Sequence, residues 1–303
     1  MELSFIIVNW NTKALLLQCL DSIRETVVDI GYEIWVVDNA STDGSAEAVQ
    51  AHDPGVHLLR NEVNLGFAAA NNQAFSRMAG RYAILLNSDA RLTPGAARIL
   101  YDYMEGHPDA GMACGQLLNA DGSLQRSVAN FPSWVTLLGN ETLLNLLLPR
   151  RYPGKRRVLG HPIEVESGIG ACLILRKAAI DQIGGFDEGY FFFFEETDYA
   201  KRMWENGWKV MFVPQARIVH EQGKSVGTRA DGRMLFYRSR YRYLRKWHPS
   251  THSLLGVLIV ARLLANFLLS GAGVLLTAGC VPSVRVKTAV YGKLLLWHLM
   301  GCP

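Results

Sequence analysis

The sequence predicts an α/β protein with a mostly parallel, Rossmann-like sheet flanked by helices, followed by a basic, apolar, helical tail. Short apolar runs alternate with segments of helical spacing over residues 1–118, a pattern typical of parallel sheets. The 303 residues are 49% hydrophobic and 19% charged, which is enough apolar material for a sizeable core. The balance of charge also changes sharply after residue 231.

Five strands and four helices account for residues 1–118. The predicted strands are Ser4–Val8, Glu33–Val37, His57–Arg60, Tyr82–Leu86 and Gly111–Leu118. The predicted helices are Lys13–Val27, Ser45–Gln50, Phe67–Met78 and a fourth that begins near Pro94 and runs to about Met104. Because ligands of such sheets bind beyond the carboxyl ends of the strands, the polar residues at those ends are the first candidates for function.

Residues 119–214 are less regular. Asn119–Gly122 predicts a hairpin turn. Trp134–Leu148 is apolar and precedes a basic group that ends at Arg157. This stretch is therefore either a buried helix followed by a solvated loop, or a flap that faces an acceptor substrate or lipid. Three further elements are predicted: a strand Glu164–Leu175, a helix Glu196–Asn206 and a strand Lys209–Val213 that ends at Pro214.

Amides and carboxylates follow the first, second and fourth strands, in Asn9–Thr12, Asp38–Gly44 and Asn87–Asp89. Asp89 is the best candidate ligand for a divalent cation, since Mg²⁺ and Mn²⁺ prefer carboxylate oxygens. The alternative for Asp89 is a turn or helix-capping role. Asp38 has the same placement after its strand, although Asp38–Gly44 is also a good turn sequence.

Four consecutive phenylalanines, Phe191–Phe194, lead into Glu195, Glu196 and Asp198. Aromatic faces can support a sugar, and a partly desolvated carboxylate gains the basicity that a general base needs. The alternative is that the acidic residues only complement the dipole at a helix N-terminus. His220 ends a later apolar run and is either a structural residue or a metal ligand.

The last 72 residues differ in charge from the rest of the chain. From Gly232 to Pro303 there is no Asp or Glu, whereas the preceding residues contain more acidic than basic side chains. The ten cations of this tail are Arg233, Arg238, Arg240, Arg242, Arg245, Lys246, Arg262, Arg285, Lys287 and Lys293. Such a tail suits nucleic acid or anionic lipid, and its apolar runs favour lipid. The predicted division is a catalytic domain at 1–230 and a tail at 231–303, with no nucleic-acid partner.

Leu263–Val281 contains no charged residue and approaches the roughly 20 residues that span a bilayer. Upstream, Arg238–Trp247 mixes cations with aromatic residues, as interfacial segments do. The tail therefore either spans the membrane, lies on it, or forms a buried helix pair. The five cysteines are scattered without CxxC spacing, and no basic leader precedes Leu3, so we expect a reducing compartment and the cytoplasmic face of the membrane.

The chain resembles the family 2 glycosyltransferases of the GT-A fold, and most closely their rhamnosyltransferase-like branch. Seven segments in family order carry the resemblance: Ser4–Asn11, Val36–Gly44, Asn64–Asn72, Leu85–Asp89, Gly184–Glu188, Glu195–Asp198 and Val213–His220. They span residues 3–225, and their order is more specific than any one segment. Residues 226–303 lie outside the match.

The resemblance implies an inverting transfer of a sugar, with dTDP-rhamnose as the expected donor and a lipid-linked or polysaccharide acceptor. Asn87-Ser88-Asp89 occupies the position of the family's DxD motif, with Asp89 and His220 as implied ligands of Mg²⁺ or Mn²⁺. Glu196 is implied as the general base, with Glu195 and Asp198 beside it. The implied donor-binding residues are Val8, Asn9, Asn11, Asp38, Asn39, Asn64, Gly66, Asn71, Asn87 and Ser88.

Two departures from the family pattern bear on these roles. Asn87 replaces the first acidic residue of DxD. The base position holds Glu rather than the commoner Asp, which could make Glu195 or Asp198 the base.

Two other functions are the alternatives. A sugar nucleotidyltransferase would need a glycine-rich phosphate loop after the first strand, whereas Asn9–Lys13 at that position contains no glycine. A catalytically silent membrane-bound assembly partner is the other alternative.

Overall fold

The structure is a computed structural model of the protein, and it describes residues 1–139, 141–148, 159–221 and 229–301. The basic group that ends at Arg157 lies outside these residues. The chain divides into two compact units. The first unit comprises Met1–Phe131 and Glu141–Ser225, and the second comprises Pro132–Asn140 and Val226–Pro303.

The beginning of the chain forms the parallel half of a large sheet. Its strands are β1 (Leu3–Asn9), β2 (Tyr32–Asp38), β3 (His57–Arg60) and β4 (Tyr82–Leu86), and its helices are α1 (Lys13–Thr26), α2 (Ser45–His52) and α3 (Gly66–Phe75). The strands lie in the order β3-β2-β1-β4, and each neighbouring pair is parallel. The predicted α/β class and its parallel strands are confirmed.

Both faces of this half-sheet are covered, because successive side chains of β1 enter different cores. Phe5 and Ile7 pack in the cluster that contains Leu16 of α1, whereas Ile6 packs in the cluster that contains residues of α3. This burial fixes the register of the strands, since a slip of one residue would exchange the two faces. The carboxyl ends of β1 and β2 are therefore level, with Asn9 opposite Asp38.

The rest of the sheet is mixed. Its strands are β5 (Ala90–Leu92), β6 (Ala110–Leu118), β8 (Ile163–Glu164), β10 (Cys172–Arg176) and β11 (Lys209–His220), while β7 (Val128–Ala129) and β9 (Ser167–Gly168) form a separate pair. The flanking helices are α4 (Ala96–Gly106), α7 (Lys177–Ile183) and α8 (Glu195–Glu205), and the same unit contains α6 (Glu141–Leu147). Strand β10 lies antiparallel between β4 and β6, and β11 is parallel to β6. Helix α4 begins at Ala96, just after the expected Pro94.

The prediction of one strand over Glu164–Leu175 is wrong. The segment is divided into β8, β9 and β10, which pair with β11, with β7, and with β4 and β6 respectively. Gly168 lies so close to β6 that an added Cβ would come within 2.8 Å of the Cys114 side chain. The Glu166 carboxylate accepts a hydrogen bond from the backbone nitrogen of Phe131 (2.7 Å). These contacts turn the chain where a continuous strand was expected.

The predicted end of the strand Lys209–Val213 at Pro214 is also wrong. Strand β11 continues to His220, and its register against β6 shifts between Val213 and Arg217. Pro214 lies within this irregularity, where a missing backbone N–H does not interrupt the ladder. The extension has a functional consequence, because it carries His220 to the edge of the sheet where β4 ends.

The second unit is helical. It contains α5 (Trp134–Leu138), α9 (Arg229–Trp247), α10 (His252–Leu276) and α11 (Pro282–Leu299). Its core combines residues of all four helices: Leu137, Leu244, Leu255, Ile259, Leu263 and Leu294. Arg262 donates a hydrogen bond to the carbonyl oxygen of Leu137 (2.6 Å). The sequence does not predict that Trp134–Leu138 joins this unit.

Helix α10 is long and apolar enough to cross a membrane, judged by length and composition. Its most apolar window has a mean hydropathy of 2.0, and only 17% of that window is buried within the protein. Large side chains such as Leu268, Leu269, Leu275 and Leu276 are exposed. A helix that serves only as the core of a soluble bundle would bury most of this surface.

Candidate active site

Asp89 and His220 lie side by side, although they are distant in sequence. Asp89 follows β4 in a tight turn, in which the Ala90 nitrogen donates to the carbonyl oxygen of Asn87 (2.9 Å). Strand β5 then pairs antiparallel with β11, with Ala90 opposite His220. This register places Nε2 of His220 3.4 Å from Oδ1 of Asp89, and both side chains are buried.

Gln125 fixes the orientation of the His220 ring. The Gln125 amide nitrogen donates to the side-chain oxygen of Asn119 (2.8 Å) and to the carbonyl oxygen of His220 (2.7 Å). The amide oxygen must therefore be the atom 2.9 Å from Nδ1 of His220, and it accepts the Nδ1–H hydrogen bond. Nε2 is left directed at the Asp89 carboxylate. Metal-ligating histidines are commonly held in this way by a hydrogen bond to the second ring nitrogen.

This geometry fits a divalent cation. An unprotonated Nε2 and a carboxylate oxygen are both electron-pair donors, so their close approach is favourable only with a cation or a proton between them. Across residues 1–139, 141–148, 159–221 and 229–301, no group of three or more His, Cys, Asp or Glu side chains could hold a metal ion. Two protein ligands would leave the remaining positions of the ion for water and phosphate oxygens.

A buried hydrogen-bond network joins the ends of β1, β2 and β4. The amide nitrogen of Asn9 donates to Asp38 (2.8 Å) and to the Ser41 hydroxyl (3.0 Å). The second Asp38 oxygen accepts from the Ser41 backbone nitrogen (3.0 Å). The Thr12 hydroxyl donates to the Asn9 amide oxygen (2.7 Å) and lies 2.7 Å from the Ser88 hydroxyl. Asn9, Asp38 and Ser88, three of the predicted donor-binding residues, are therefore positioned together.

The loop after β1 is braced against the loop after β2. Asn11 has a positive φ of 54°, and its side-chain oxygen accepts a hydrogen bond from the Thr42 nitrogen (2.7 Å). Its own backbone nitrogen donates to the Ser41 hydroxyl (2.9 Å). Val8 lies one residue before the end of β1, opposite Val37. The two loops thus form a fixed rim rather than two independent segments.

Four other predicted donor-binding residues hold the start of α3. Asn39 donates to the carbonyl oxygen of Gly66 (3.1 Å), and Asn64 accepts from the Gly66 nitrogen (2.9 Å). Gly66 has a φ of 82°, and an added Cβ would lie 2.4 Å from the carbonyl oxygen of Phe191. Asn71 donates to the carbonyl oxygen of Phe67, while its buried side-chain oxygen has no hydrogen-bond partner in the described part of the chain. Gly66 is therefore required, because only a residue without a Cβ lets α3 pack this closely against the aromatic segment, Phe191–Phe194.

The aromatic segment delivers two carboxylates into a buried environment. Helix α8 begins at Glu195, directly after Phe193 and Phe194, whose φ angles are 68° and 69°. Such left-handed conformations cost about 1–2 kcal/mol for each residue other than glycine, and they concentrate at functional sites. Glu195 is buried and Glu196 is half-buried, and Oε2 of each lacks a hydrogen-bond partner among the described residues.

Burial shifts the acidity of both carboxyl groups. Desolvation raises the pKa of Glu196 to about 7, although hydrogen bonds from backbone nitrogens, including that of Gly170, act in the opposite direction. The pKa of Glu195 lies well above its ordinary value, first because of desolvation and then because of the neighbouring Glu196. Glu196 has the acidity of a general base that works near pH 7.

Asp198 has a different environment. Its fully buried carboxylate forms an ion pair with Arg202 (3.2 Å), and its other oxygen lies 3.4 Å from the Tyr190 hydroxyl. Arg202 also donates to the carbonyl oxygens of Ile183 and Gly185, so this ion pair ties α8 to the end of α7. These contacts favour a structural role for Asp198 over that of a base.

The base candidate and the metal candidate belong to the same edge of the sheet. The Asn87 nitrogen donates to the carbonyl oxygen of Ala171 (3.0 Å), and the neighbouring Gly170 nitrogen interacts with the Glu196 carboxylate. The backbone just before β10 therefore lies between the Asn87–Asp89 turn and Glu196. Sequence reasoning assigned no role to Thr12 or Gln125. Thr12 follows a strand end and could have been included, whereas no sequence signal links Gln125 to His220.

A comparison with protein families gives an independent view of this arrangement. The model of Glycosyl transferase family 2 matches residues 4–184, which contain the ends of β1, β2 and β4. The N-acetylglucosaminyl-diphospho-decaprenol L-rhamnosyltransferase of Mycobacterium tuberculosis is 31% identical over 231 residues, which cover 71% of this chain and 75% of that protein.

Solved structures share the fold at low sequence identity. The mannosyltransferase PcManGT of Pyrobaculum calidifontis, in complex with GDP-Man and Mn²⁺, aligns with a TM-score of 0.60 and 17% identity over 98% of this chain and 87% of that one. GalNAc-T7 with UDP, GalNAc and Mn²⁺ aligns with a TM-score of 0.59 and 17% identity over 82% of this chain and 48% of that one. The family match, the rhamnosyltransferase relative and the shared fold agree with the site geometry, and the chain belongs to glycosyl transferase family 2.

Proposed function

We propose that this glycosyltransferase moves a sugar, with inversion, from a nucleotide-diphosphate donor to a lipid-linked acceptor in cell-surface glycan synthesis. We further propose that the donor is dTDP-rhamnose and the acceptor a glycosylated polyprenyl diphosphate. The name of the Mycobacterium tuberculosis relative, which contains both an L-rhamnosyl group and a diphospho-decaprenol, supports this choice. The observation that carries the proposed chemistry is the half-buried Glu196, with a pKa of about 7, at the sheet edge that also holds Asp89.

Glu196 acts as the base in a single displacement. Its carboxylate takes the proton of the acceptor hydroxyl as the hydroxyl oxygen bonds to the anomeric carbon of the donor sugar. The bond from that carbon to the diphosphate breaks on the opposite face, which inverts the configuration. Burial removes water from both Glu195 and Glu196 and raises the pKa of each carboxyl group. This arrangement keeps the proton affinity of Glu196 close to that suited to neutral pH.

Asp89 and His220 would hold Mg²⁺ or Mn²⁺. A bound divalent cation supplies charge that stabilises the departing diphosphate. The residues of the chain prepare this site without the ion, since Gln125 orients His220 and the turn after Asn87 fixes Asp89. Asn87 contributes an amide where the family pattern has a carboxylate, so the protein supplies less negative charge to the ion than a complete DxD motif would.

The network of Asn9, Asp38, Thr12 and Ser88 would form the floor of the nucleotide site. Both oxygens of Asp38 already accept hydrogen bonds within the protein, and each retains capacity for another. We assign Asp38 to the base or ribose of the donor, with the backbone near Val8 lining the same pocket. The rigid rim formed by the loops after β1 and β2 would reduce the entropy lost when the nucleotide binds.

We place the enzyme at the cytoplasmic face of the membrane, held there by its second unit. Helix α10 supplies an exposed apolar surface of suitable length. The ten cations that follow Asp231 would be attracted to anionic headgroups, at about 1 kcal/mol for each cation near the surface. Attachment by α10 and attraction by the cations together would bring the enzyme to a lipid-linked acceptor.

The experiment that tests the function supplies purified full-length enzyme with dTDP-rhamnose and a short-chain N-acetylglucosaminyl diphospholipid, with Mn²⁺ or Mg²⁺. We expect a rhamnosylated lipid of inverted anomeric configuration, loss of product with EDTA, and no metal-dependent product with Asp89→Ala. UDP- and GDP-sugars in place of dTDP-rhamnose test the choice of donor. Absence of transfer and of donor hydrolysis with every nucleotide-sugar would indicate the silent assembly partner instead.

A further inference from the structure

The second unit contains a cleft to which the mechanism described above assigns no role. The cleft lies between α9, α10 and the end of α11 and has a volume of about 700 Å³. One wall is apolar and is formed by Leu244 of α9 together with Val257, Val260 and Ala261 of α10. A volume of this size lies within the range of about 300–1,000 Å³ that is typical of small-molecule sites.

Two arginines border the same cleft. Arg238 and Arg245 are exposed and lie seven residues apart on α9. Seven residues are nearly two helical turns, so both arginines lie on one face, with their Cα atoms separated by about 10 Å along the axis. The guanidinium group of arginine matches phosphate oxygens in a bidentate geometry. The cleft therefore combines an apolar wall with two groups that suit phosphate.

The sequence of the second unit is strongly basic. Asp231 is the only acidic side chain in the sequence of Pro132–Asn140 and Val226–Pro303. Nor do the polar groups inside the cleft supply an anion. The Tyr241 hydroxyl lies 2.8 Å from Nε2 of His298, and Nδ1 of His298 lies 2.6 Å from the carbonyl oxygen of Leu294. Nδ1 of His298 donates to this carbonyl oxygen, so the Tyr241 and His298 side chains are both engaged within the second unit.

A ligand that matches both features must carry phosphate at one end and a hydrocarbon chain at the other. A free nucleotide-sugar would place hydroxyl groups against Val257, Val260 and Ala261, where they would lose hydrogen bonds to water. Inorganic phosphate would leave the apolar wall exposed. An isoprenoid diphosphate places negative charge at the arginines and hydrocarbon at the wall, where the burial of apolar surface favours binding.

We propose that this cleft is a specific binding site for the lipid acceptor, whose diphosphate lies between Arg238 and Arg245 and whose first isoprene units lie against Val257, Val260 and Ala261. The proposal rests on the proposed function for the identity of the acceptor. It differs from general attraction to the membrane, because it requires that one lipid molecule binds in one cleft and that the protein recognises both the hydrocarbon chain and the diphosphate of that lipid.

The test uses full-length protein in nanodiscs of neutral phosphatidylcholine and farnesyl diphosphate as the probe, with binding measured by isothermal titration calorimetry. We expect Arg238→Gln/Arg245→Gln to weaken binding at least tenfold. Ala261→Phe, which fills the cleft without changing its charge, should weaken binding to a similar degree. Arg285→Gln/Lys293→Gln, which removes two exposed cations of α11 outside the cleft, should bind like wild type.

Three results would overturn the site. One is unchanged binding by both cleft variants, another is inorganic pyrophosphate binding as tightly as farnesyl diphosphate, and the third is equal competition by phosphatidylglycerol. The shift in melting temperature caused by dTDP, measured on the same samples, checks the first unit independently. A wild-type protein that responds to dTDP but not to farnesyl diphosphate contradicts this site alone, whereas one that fails to respond to any nucleotide contradicts the proposed function.

Discussion

Gln125→Met isolates the contribution of a residue that touches neither donor nor acceptor in the proposed mechanism. The substitution keeps the approximate volume of the side chain but removes the acceptor for Nδ1–H of His220 and the donor to the His220 carbonyl oxygen. The ring of His220 then loses the hydrogen bond that directs Nε2 at Asp89. We therefore expect the metal site to weaken while its two ligands remain present.

The expected magnitude follows from the hydrogen bonds that Gln125 makes to His220. Removal of a hydrogen bond that orients a metal-ligating histidine typically costs 10–100-fold in metal affinity, or about 1.4–2.8 kcal/mol. The fold is also destabilised, by about 1–3 kcal/mol for each buried group left unpaired. The loss of stability alone would not change the metal concentration that half-activates the folded enzyme, so the two effects can be separated.

The assay measures the transfer rate against Mn²⁺ concentration for wild type, Gln125→Met and Gln116→Met. Gln116 is the matched control, since it is an equally buried glutamine that bonds to Ser127 and to the carbonyl oxygen of Gln125 but not to His220. We expect the half-activating Mn²⁺ concentration to rise 10–100-fold for Gln125→Met only. Equal half-activating Mn²⁺ concentrations for all three proteins, with stability lowered in both variants, would refute the role of Gln125 in orienting His220 toward the metal.

Two further predictions concern the membrane surface and the aromatic segment. Leu269→Glu in α10 should reduce co-sedimentation with anionic liposomes, whereas Leu147→Glu, at a similarly exposed leucine of α6, should not. Equal binding by both variants would remove α10 from the membrane contact. Gly66→Ala should be much more destabilising in urea denaturation than Gly122→Ala. Both glycines have a positive φ, so the two variants share a backbone cost of about 1–2 kcal/mol. Only at Gly66 would the new Cβ also collide with the carbonyl oxygen of Phe191. Similar stability of the two variants would show that the aromatic segment is not packed against Gly66.

The sequence predicts the parallel half of the sheet well, because β1 and β4 are apolar runs whose burial on both faces leaves few other assignments. It predicts Asp89 and Asp38 as strand-end residues for the same reason. Local patterns cannot show that β10 lies antiparallel between β4 and β6, since strand order depends on contacts between distant residues. The extension of β11 past Pro214 is hidden for a similar reason, because a proline normally ends a strand.

The site shows the same contrast. The sequence places three carboxylates close together at Glu195, Glu196 and Asp198, and the family resemblance points to Glu196, but only their surroundings give a physical reason to choose among them. Asp198 is paired with Arg202, whereas Oε2 of Glu195 and of Glu196 has no hydrogen-bond partner in the part of the chain that the structure describes. Gln125 is recognised only through its hydrogen bonds to His220. These assignments depend on desolvation and on contacts between distant residues, neither of which a linear motif contains.

The most direct test of the central claim is the pH dependence of transfer by wild type and Glu196→Gln. Because the base must be deprotonated, kcat/KM of the wild type should rise with pH and level off above a midpoint of about 7. Glu196→Gln should lower kcat on the order of 10²-fold or more, lose this rise, and bind dTDP as before. The raised pKa also lowers stability as pH increases from the ordinary range of a glutamate to about 7, so Glu196→Gln should be more stable than wild type above pH 7. A Glu196→Gln enzyme with wild-type turnover and the same midpoint would contradict the assignment of Glu196 as the base.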